Sequence, residues 1–305
     1  MATSLQQRRI PFAFDETTPF LWNETNPEFA HLANVFSILA VGLERYIVAV
    51  MRDAMPLITD VDARDEADGF LKQEARHAAA HVLHLKALFK THPRLQDVLD
   101  DCVAAFERIQ ATESLEYRLA FIADLEATFT PIFKLFLDHH DEFFEPGDDR
   151  VASLFMWHFI EEVEHRSSAL IVYDAVVGSR WYRTKVFPRA FFHASRLTFR
   201  IARGIDRVIP EPARRVSAVR SVMSTNGFIE LARRAVRGKP SRGRMMSRIP
   251  TRDLISMNSG IAQSQTPRHD PAHQPLPAFA TTWMDAHEHG TDVTHWYAST
   301  TSPAA

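Results

Sequence analysis

The sequence predicts an all-α fold: a four-helix bundle with additional C-terminal helices and a disordered tail. Three observations carry that reading. Glycine is scarce, at 10 of 305 residues, and apolar/polar alternation of the strand type is rare. Long segments of helical periodicity are separated by capping residues and by Pro-Gly punctuation. A glutamate followed about one helix later by Glu-x-x-His occurs twice: Glu44 then Glu74 and His77, Glu126 then Glu162 and His165. Positions i and i+3 share one helix face, so each Glu-x-x-His pair reaches a common point.

The elements follow in order. Residues 1–25 carry no clear periodicity and read as an arm. Asn26-Pro27 supplies a cap and a first helical residue, and the first helix runs from there to Pro56. It holds the most hydrophobic long stretch, residues 32–51, interrupted by Glu44 and Arg45. Charges near a bilayer centre are costly, so the stretch reads as a buried bundle helix whose acid faces a polar site. Thr59-Asp60 caps a second helix to about Thr91. Pro93 starts a connecting helix to about Gln110, and Thr112 caps the third long helix. Pro131 within it is expected to kink it. Pro146-Gly147 breaks the chain, and Asp148 or Asp149 caps a fourth helix ending near Gly178. These helices span 26–180. Residues 181–240 read as a basic amphipathic helical extension, divided by Pro210 and Pro212. Residues 241–305, rich in Ser, Pro, Gly, His and Thr, read as largely disordered.

Composition narrows the class further. Hydrophobic residues make up 46% and charged residues 24%, enough for a packed core. The net charge of −3 conceals an acidic first half and a basic segment, with 18 Lys and Arg against 3 acids in residues 180–250. Cys102 is the single cysteine, which excludes an intramolecular disulfide. With no signal-peptide pattern, the expected location is the cytoplasm. The basic segment is expected to cover the acidic bundle with its apolar face, and membrane-peripheral contact through residues 185–240 is the second reading. No nucleic-acid motif accompanies the basic segment.

The chemistry rests on the duplicated motif. Four glutamates balance two divalent cations, which makes a buried cluster neutral and limits its desolvation cost. Glu44, Glu74, His77, Glu126, Glu162 and His165 are therefore candidate ligands of two metal ions. Carboxylate with imidazole suits iron first, and also manganese, a mixed Mn/Fe pair or zinc. His158 falls on the same stripe as Glu162 and His165, four residues before Glu162, and is a seventh candidate. His81, seven residues after Glu74, is a further ligand or a hydrogen-bond partner of one. Glu161 or Glu164 is placed to orient a histidine, against the default of solvated acids. Phe129, Phe133, Phe155 and Phe159 lie near the ligand turns, as bundle core or as the wall of an apolar channel. Tyr46 lies two residues from Glu44 with no further signal.

At these residues the chain resembles known proteins. EARH and the second Glu-x-x-His resemble the ligand motifs of ferritin-like di-iron carboxylate proteins, including desaturases and the ribonucleotide reductase small subunit. The histidine before Glu162 is similar to the pattern of p-aminobenzoate N-oxygenase, whose di-iron site has a third histidine. The run from NVFSILAVGLERY through FLKQEARHAAAH to WHFIEEVEH is similar to a bacterial family catalogued as metal-dependent hydrolases, over roughly residues 15–240. The resemblance implies a dinuclear-metal enzyme. An O₂-activating di-iron oxidase or oxygenase acting on a small, apolar or aromatic substrate is the leading expectation. A hydrolase using a metal-bridged water is the alternative, and non-enzymatic iron binding is the third. No flavin or iron–sulfur motif is present, so an oxygenase would draw electrons from an external donor. A homodimer is also expected of a bundle this size.

Overall fold

The computed structural model describes residues 5–301 except 226, 242–243 and 273. Among the described residues the fold is all-α, with no strand.

Helix α1, Pro27–Ala54, starts on Asn26, whose side chain accepts the Phe29 N–H, and passes into a 3₁₀ turn at Met55–Leu57. Helix α2, Val61–Thr91, is capped by Asp60 accepting from the Ala63 N–H. Helix α3, Leu95–Thr112, connects to α4, Leu115–Asp138. The cap of α4 is Ser114, not Thr112: Thr112 is still inside α3, where its hydroxyl donates to the Arg108 carbonyl. Helix α4 continues through Pro131. A short turn α5, His140–Phe143, leads to α6, Asp149–Glu164, whose cap is Asp148.

The fourth long helix expected from the sequence is broken. α6 stops at Glu164, and α7, Ser168–Val176, resumes after a turn at His165–Ser167. Arg166 donates to the carbonyls of Val163 and Glu164, satisfying acceptors that the break leaves without helical partners. Gly178, at φ +69°, ends α7 in the left-handed conformation that suits glycine.

Helices α1, α2, α6 and α4 pack in a closed ring, α1 on α2, α2 on α6, α6 on α4 and α4 on α1. All seven candidate ligands lie on these four helices or, for His165, on the residue that caps α6. Residues Pro27–Leu57 are long and apolar enough to cross a membrane by length and composition, but 78% of the apolar window is buried inside the protein. That is the pattern of a core helix.

Residues 5–26 contain no helix but lie packed on the core, with Arg8, Phe12, Phe20, Trp22 and Asn23 buried. The basic segment forms α8, Arg180–Val208, then α9, Glu211–Arg214, α10, Ala218–Ser224, and α11, Gly227–Arg237. Of its apolar residues, Ile201 and Ile205 are buried, Phe187 and Phe199 half-buried, and Trp181, Phe191 and Phe192 exposed. So α8 covers the core with one side only.

The expectation of a largely disordered tail is not met among the described residues. α12, Thr251–Ser264, α13, Ala278–Glu288, and α14, Trp296–Thr301, follow the basic segment. Met245, Met246, Ile249, Leu254, Trp283 and Trp296 are buried against the aromatic cluster around Phe155 and Phe159. A polar average composition concealed a few widely spaced large apolar side chains, each of which docks. Core groups fix the segment: Arg166 donates to the carbonyls of Pro271, Ala272 and Gln274, and Asp149 accepts the N–H groups of Tyr297 and Ala298.

Candidate metal centre

The two Glu-x-x-His pairs face each other across α2 and α6 and form two donor sets. Glu44, His77, His158 and Glu162 offer ligand atoms within 4.8 Å of one another, and so do Glu74, Glu126, Glu162 and His165. All seven residues are buried. Glu162 belongs to both sets. Its Oε1 lies 2.9 Å from His158 Nε2 and 3.5 Å from His77 Nδ1, and its Oε2 lies 3.3 Å from His165 Nε2. In the first set His158 Nε2 is also 3.3 Å from Glu44 Oε1; in the second, His165 Nε2 is 3.3 Å from Glu74 Oε1 and 3.6 Å from Glu126 Oε2.

The donor set fits two cations on an independent ground. Buried polar atoms without a hydrogen-bond partner are rare in folded proteins, yet several converge here. Glu44 Oε2, both Glu74 oxygens, His77 Nδ1 and His165 Nε2 have none. All belong to residues of the two donor sets, and the four glutamates carry the charge two divalent ions would neutralise.

The electrostatics of the bare cluster agree. Burial pushes Glu44 and Glu74 well above the usual carboxylate range, and the Glu162 charge adds to it. Glu126 is pushed up to about 8, by burial first and the Glu162 charge second. Burial alone would lower His77, but the hydrogen bond to Glu161 and the nearby Glu162 and Glu74 carboxylates outweigh it and raise His77 to about 10. His165 is likewise raised against its burial, chiefly by the Glu162 charge. His158 is pushed down to about 4 by burial and by the neighbouring His77 charge, so its ring is neutral and available as a ligand near pH 7. Protons shared among carboxylates and imidazoles thus stand where cations would bind.

The ligands are held from behind. His77 Nε2 lies 3.0 Å from Glu161 Oε2, and Arg8 Nη1 donates to Glu161 Oε1 at 3.2 Å. Arg8 also grips Glu164 through both terminal nitrogens, at 2.7 and 3.0 Å. His165 Nδ1 lies 3.0 Å from the Gln73 side-chain oxygen, and Gln73 Nε2 donates to the Gln6 carbonyl and to Glu164. The arm is therefore part of the centre's support.

His81 lies outside both donor sets. Its Nε2 is 2.6 Å from His158 Nδ1, and its Nδ1 is 2.9 Å from the Ser37 hydroxyl, which also contacts His84 Nδ1 at 3.2 Å. With His158 Nε2 facing the cluster, His158 Nδ1–H donates to His81, His81 Nδ1–H donates to Ser37, and Ser37 donates to His84. One tautomer choice sets the whole row.

Phe36 sits 5.2 Å from the His158 ring, 5.3 Å from Phe133 and 5.4 Å from Phe159. Phe133, Phe155 and Phe159 are buried beside it, and Phe129 is partly buried. Tyr46 packs on Phe106 and Phe121. Ser37 and Phe36 carried a usable signal, lying two helical turns before Glu44. Gln73 adjoins Glu74. Arg8 carried none, since the arm shows no periodicity.

The model of a family described as predicted metal-dependent hydrolase matches residues 6–239, about three quarters of the chain, which therefore belongs to that family. No curated protein and no solved structure matches.

Proposed function

We propose that this member of the predicted metal-dependent hydrolase family is a dinuclear-metal hydrolase. One cation would sit among Glu44, His77, His158 and Glu162, and the other among Glu74, Glu126, Glu162 and His165. The observation that carries the reading is Glu162, a single buried carboxylate common to two donor sets. Bound together, two divalent cations supply Lewis-acid activation of water and polarisation of an ester or phosphate. The chain's own groups do the rest. Glu162 spans the two positions, His158 offers a neutral ring, and Arg8–Glu161 holds His77 by its far nitrogen. Iron, manganese, a mixed Mn/Fe pair and zinc all suit these donors. The order Glu, Glu-x-x-His, Glu, Glu-x-x-His supports placing the chain with ferritin-like carboxylate bundles.

A second reading, an O₂-activating di-iron oxidase, is favoured by one specific observation. The centre is buried behind Phe36, Phe133, Phe155 and Phe159, which suits a small apolar reactant better than a polar one. Two ferrous ions would supply electrons for dioxygen, and an external donor would restore them.

Metal choice separates the two. Zinc-loaded or manganese-loaded protein is assayed against carboxyl and phosphate esters, and anaerobic Fe(II)-loaded protein is exposed to O₂ with optical detection. Ester cleavage with redox-inert zinc supports the hydrolase. No cleavage with any metal, together with stoichiometric O₂ consumption by the ferrous protein, transfers the assignment to the oxidase. Fewer than one metal per folded chain sinks both.

A further inference from the structure

We propose that the outward face of α8 docks on an anionic phospholipid bilayer. α8 spans 29 residues, roughly 43 Å at the helical rise. Its inner side buries Val186, Ala190, Leu197, Ile201, Ala202 and Ile205 against the protein. Its outer side is one stripe: Trp181, Lys185, Pro188, Phe192, Arg196 and Arg203, at helical spacing and all exposed. Trp181 is 76% exposed and Phe192 61%, and Phe191 beside them is 50% exposed. An isolated exposed aromatic needs no explanation, but three on one end of a helix do.

Charge decides the occupant. The helix carries one acid, Asp206, which is engaged by Arg214, Ser217 and the N–H groups of Ala218 and Val219. Arg180, Arg189 and Arg200 on the flanks pair with Asp174, Glu113 and Asp101. Lys185, Arg196 and Arg203 on the stripe are not among the described ion pairs. The face therefore offers exposed aromatics interleaved with free cations and no acid. An amphipathic helix of this kind lies in the headgroup plane, its aromatics at the acyl boundary and its cations on lipid phosphates. A nucleic acid would take the cations alone.

The test uses the full chain and its own fluorescence. Trp22, Trp157, Trp283 and Trp296 are buried, so of the five tryptophans Trp181 alone reports on the surface. With vesicles of phosphatidylcholine and phosphatidylglycerol, we expect co-sedimentation, a blue shift in emission and quenching by brominated lipid. Phosphatidylcholine alone should give none of these, and salt should weaken them. Trp181→Phe should keep the binding and abolish the shift. Arg196→Glu with Arg203→Glu, both exposed and remote from the core, should weaken binding on the order of tenfold or more with an unchanged far-UV spectrum. Four outcomes overturn the proposal: no sedimentation with anionic vesicles at low salt, binding untouched by charge reversal, an oligonucleotide that binds while vesicles do not, or a dimer that shields Trp181 from quencher before lipid is added.

Discussion

Replacing Arg8 by alanine tests whether the N-terminal arm is part of the metal centre. The guanidinium is 2% exposed and bridges Glu161, fully buried, and Glu164, 19% exposed. Removing it leaves Glu161 as a buried carboxylate whose remaining partner is His77. Stripping one member from a buried ion pair costs about 3–5 kcal/mol. For a chain of 305 residues, that is a fall of roughly 5–8 °C in Tm from the average unfolding entropy per residue. Without Arg8 the Glu161 carboxylate is no longer held in place, so the His77 ring that it contacts loses its fixed orientation. Loss of such an outer partner weakens metal binding by about 10- to 100-fold.

The assay is a thermal melt of metal-free protein beside a competitive chelator titration with zinc. Arg8→Lys serves as the graded control: it keeps the charge but loses the planar fork that reaches two carboxylates, so its defects should be intermediate. A melt within about 1 °C of wild type together with unchanged zinc affinity refutes the argument. A lower melt with unchanged affinity would confine Arg8 to packing.

Other perturbations address the centre and the core directly. Glu162→Gln should reduce metal content at both positions, whereas His158→Ala should lower it from two per chain toward one; elemental analysis of folded protein checks both. Metal-free protein should lose stability as pH rises from 7 to 10. Glu126 (to about 8) and His77 (to about 10) keep protons in the folded state that the unfolded chain has released, so metal should stabilise more strongly at the higher pH because it replaces those protons. Gly42→Val should destabilise by about 1–3 kcal/mol, read by melting. A Cβ there meets Cys102 Sγ at 2.7 Å and the Phe106 ring at 2.9 Å, both buried, and the recovered helix propensity is only roughly half a kcal/mol.

The buried Glu and His cluster was legible because sharing one helix face imposes spacing. Residues three or four apart share a helix face, and the expected stripe His158–Glu162–His165 is the one the structure brings together. Caps at Asn26, Asp60 and Asp148 were legible for the same reason, since each side chain bonds locally. What was not legible acts at long range. Arg8 reaches Glu161 across 153 positions, and no local pattern marks it. Arg183 reads as one cation of a basic surface, yet it is 1% exposed and binds Asp124 and the carbonyls of Ser264 and Thr266. That contact also explains why the polar tail is ordered: buried guanidinium groups supply the donors its loops lack. The break after Glu164 was missed because the capping donor, Arg166, satisfies carbonyls that sequence periodicity assigns to an unbroken helix.

The two donor sets are unequal, and the inequality predicts where different metals go. The first has two imidazoles and two carboxylates; the second has one imidazole and three carboxylates. Nitrogen donors favour zinc over manganese more strongly than carboxylates do. The first set is also the better pre-organised for nitrogen ligation: His158 is held by the His81–Ser37 row and His77 by Glu161. With one equivalent of zinc and excess manganese, zinc should therefore occupy the His77–His158 position and manganese the Glu74–Glu126 position. The Mn(II) electron paramagnetic resonance signal of bound metal should then survive His158→Ala and disappear in Glu126→Gln. Finding the reverse would mean that the carboxylate-rich set is the zinc site, and that the histidine row orients His158 for a purpose other than metal choice.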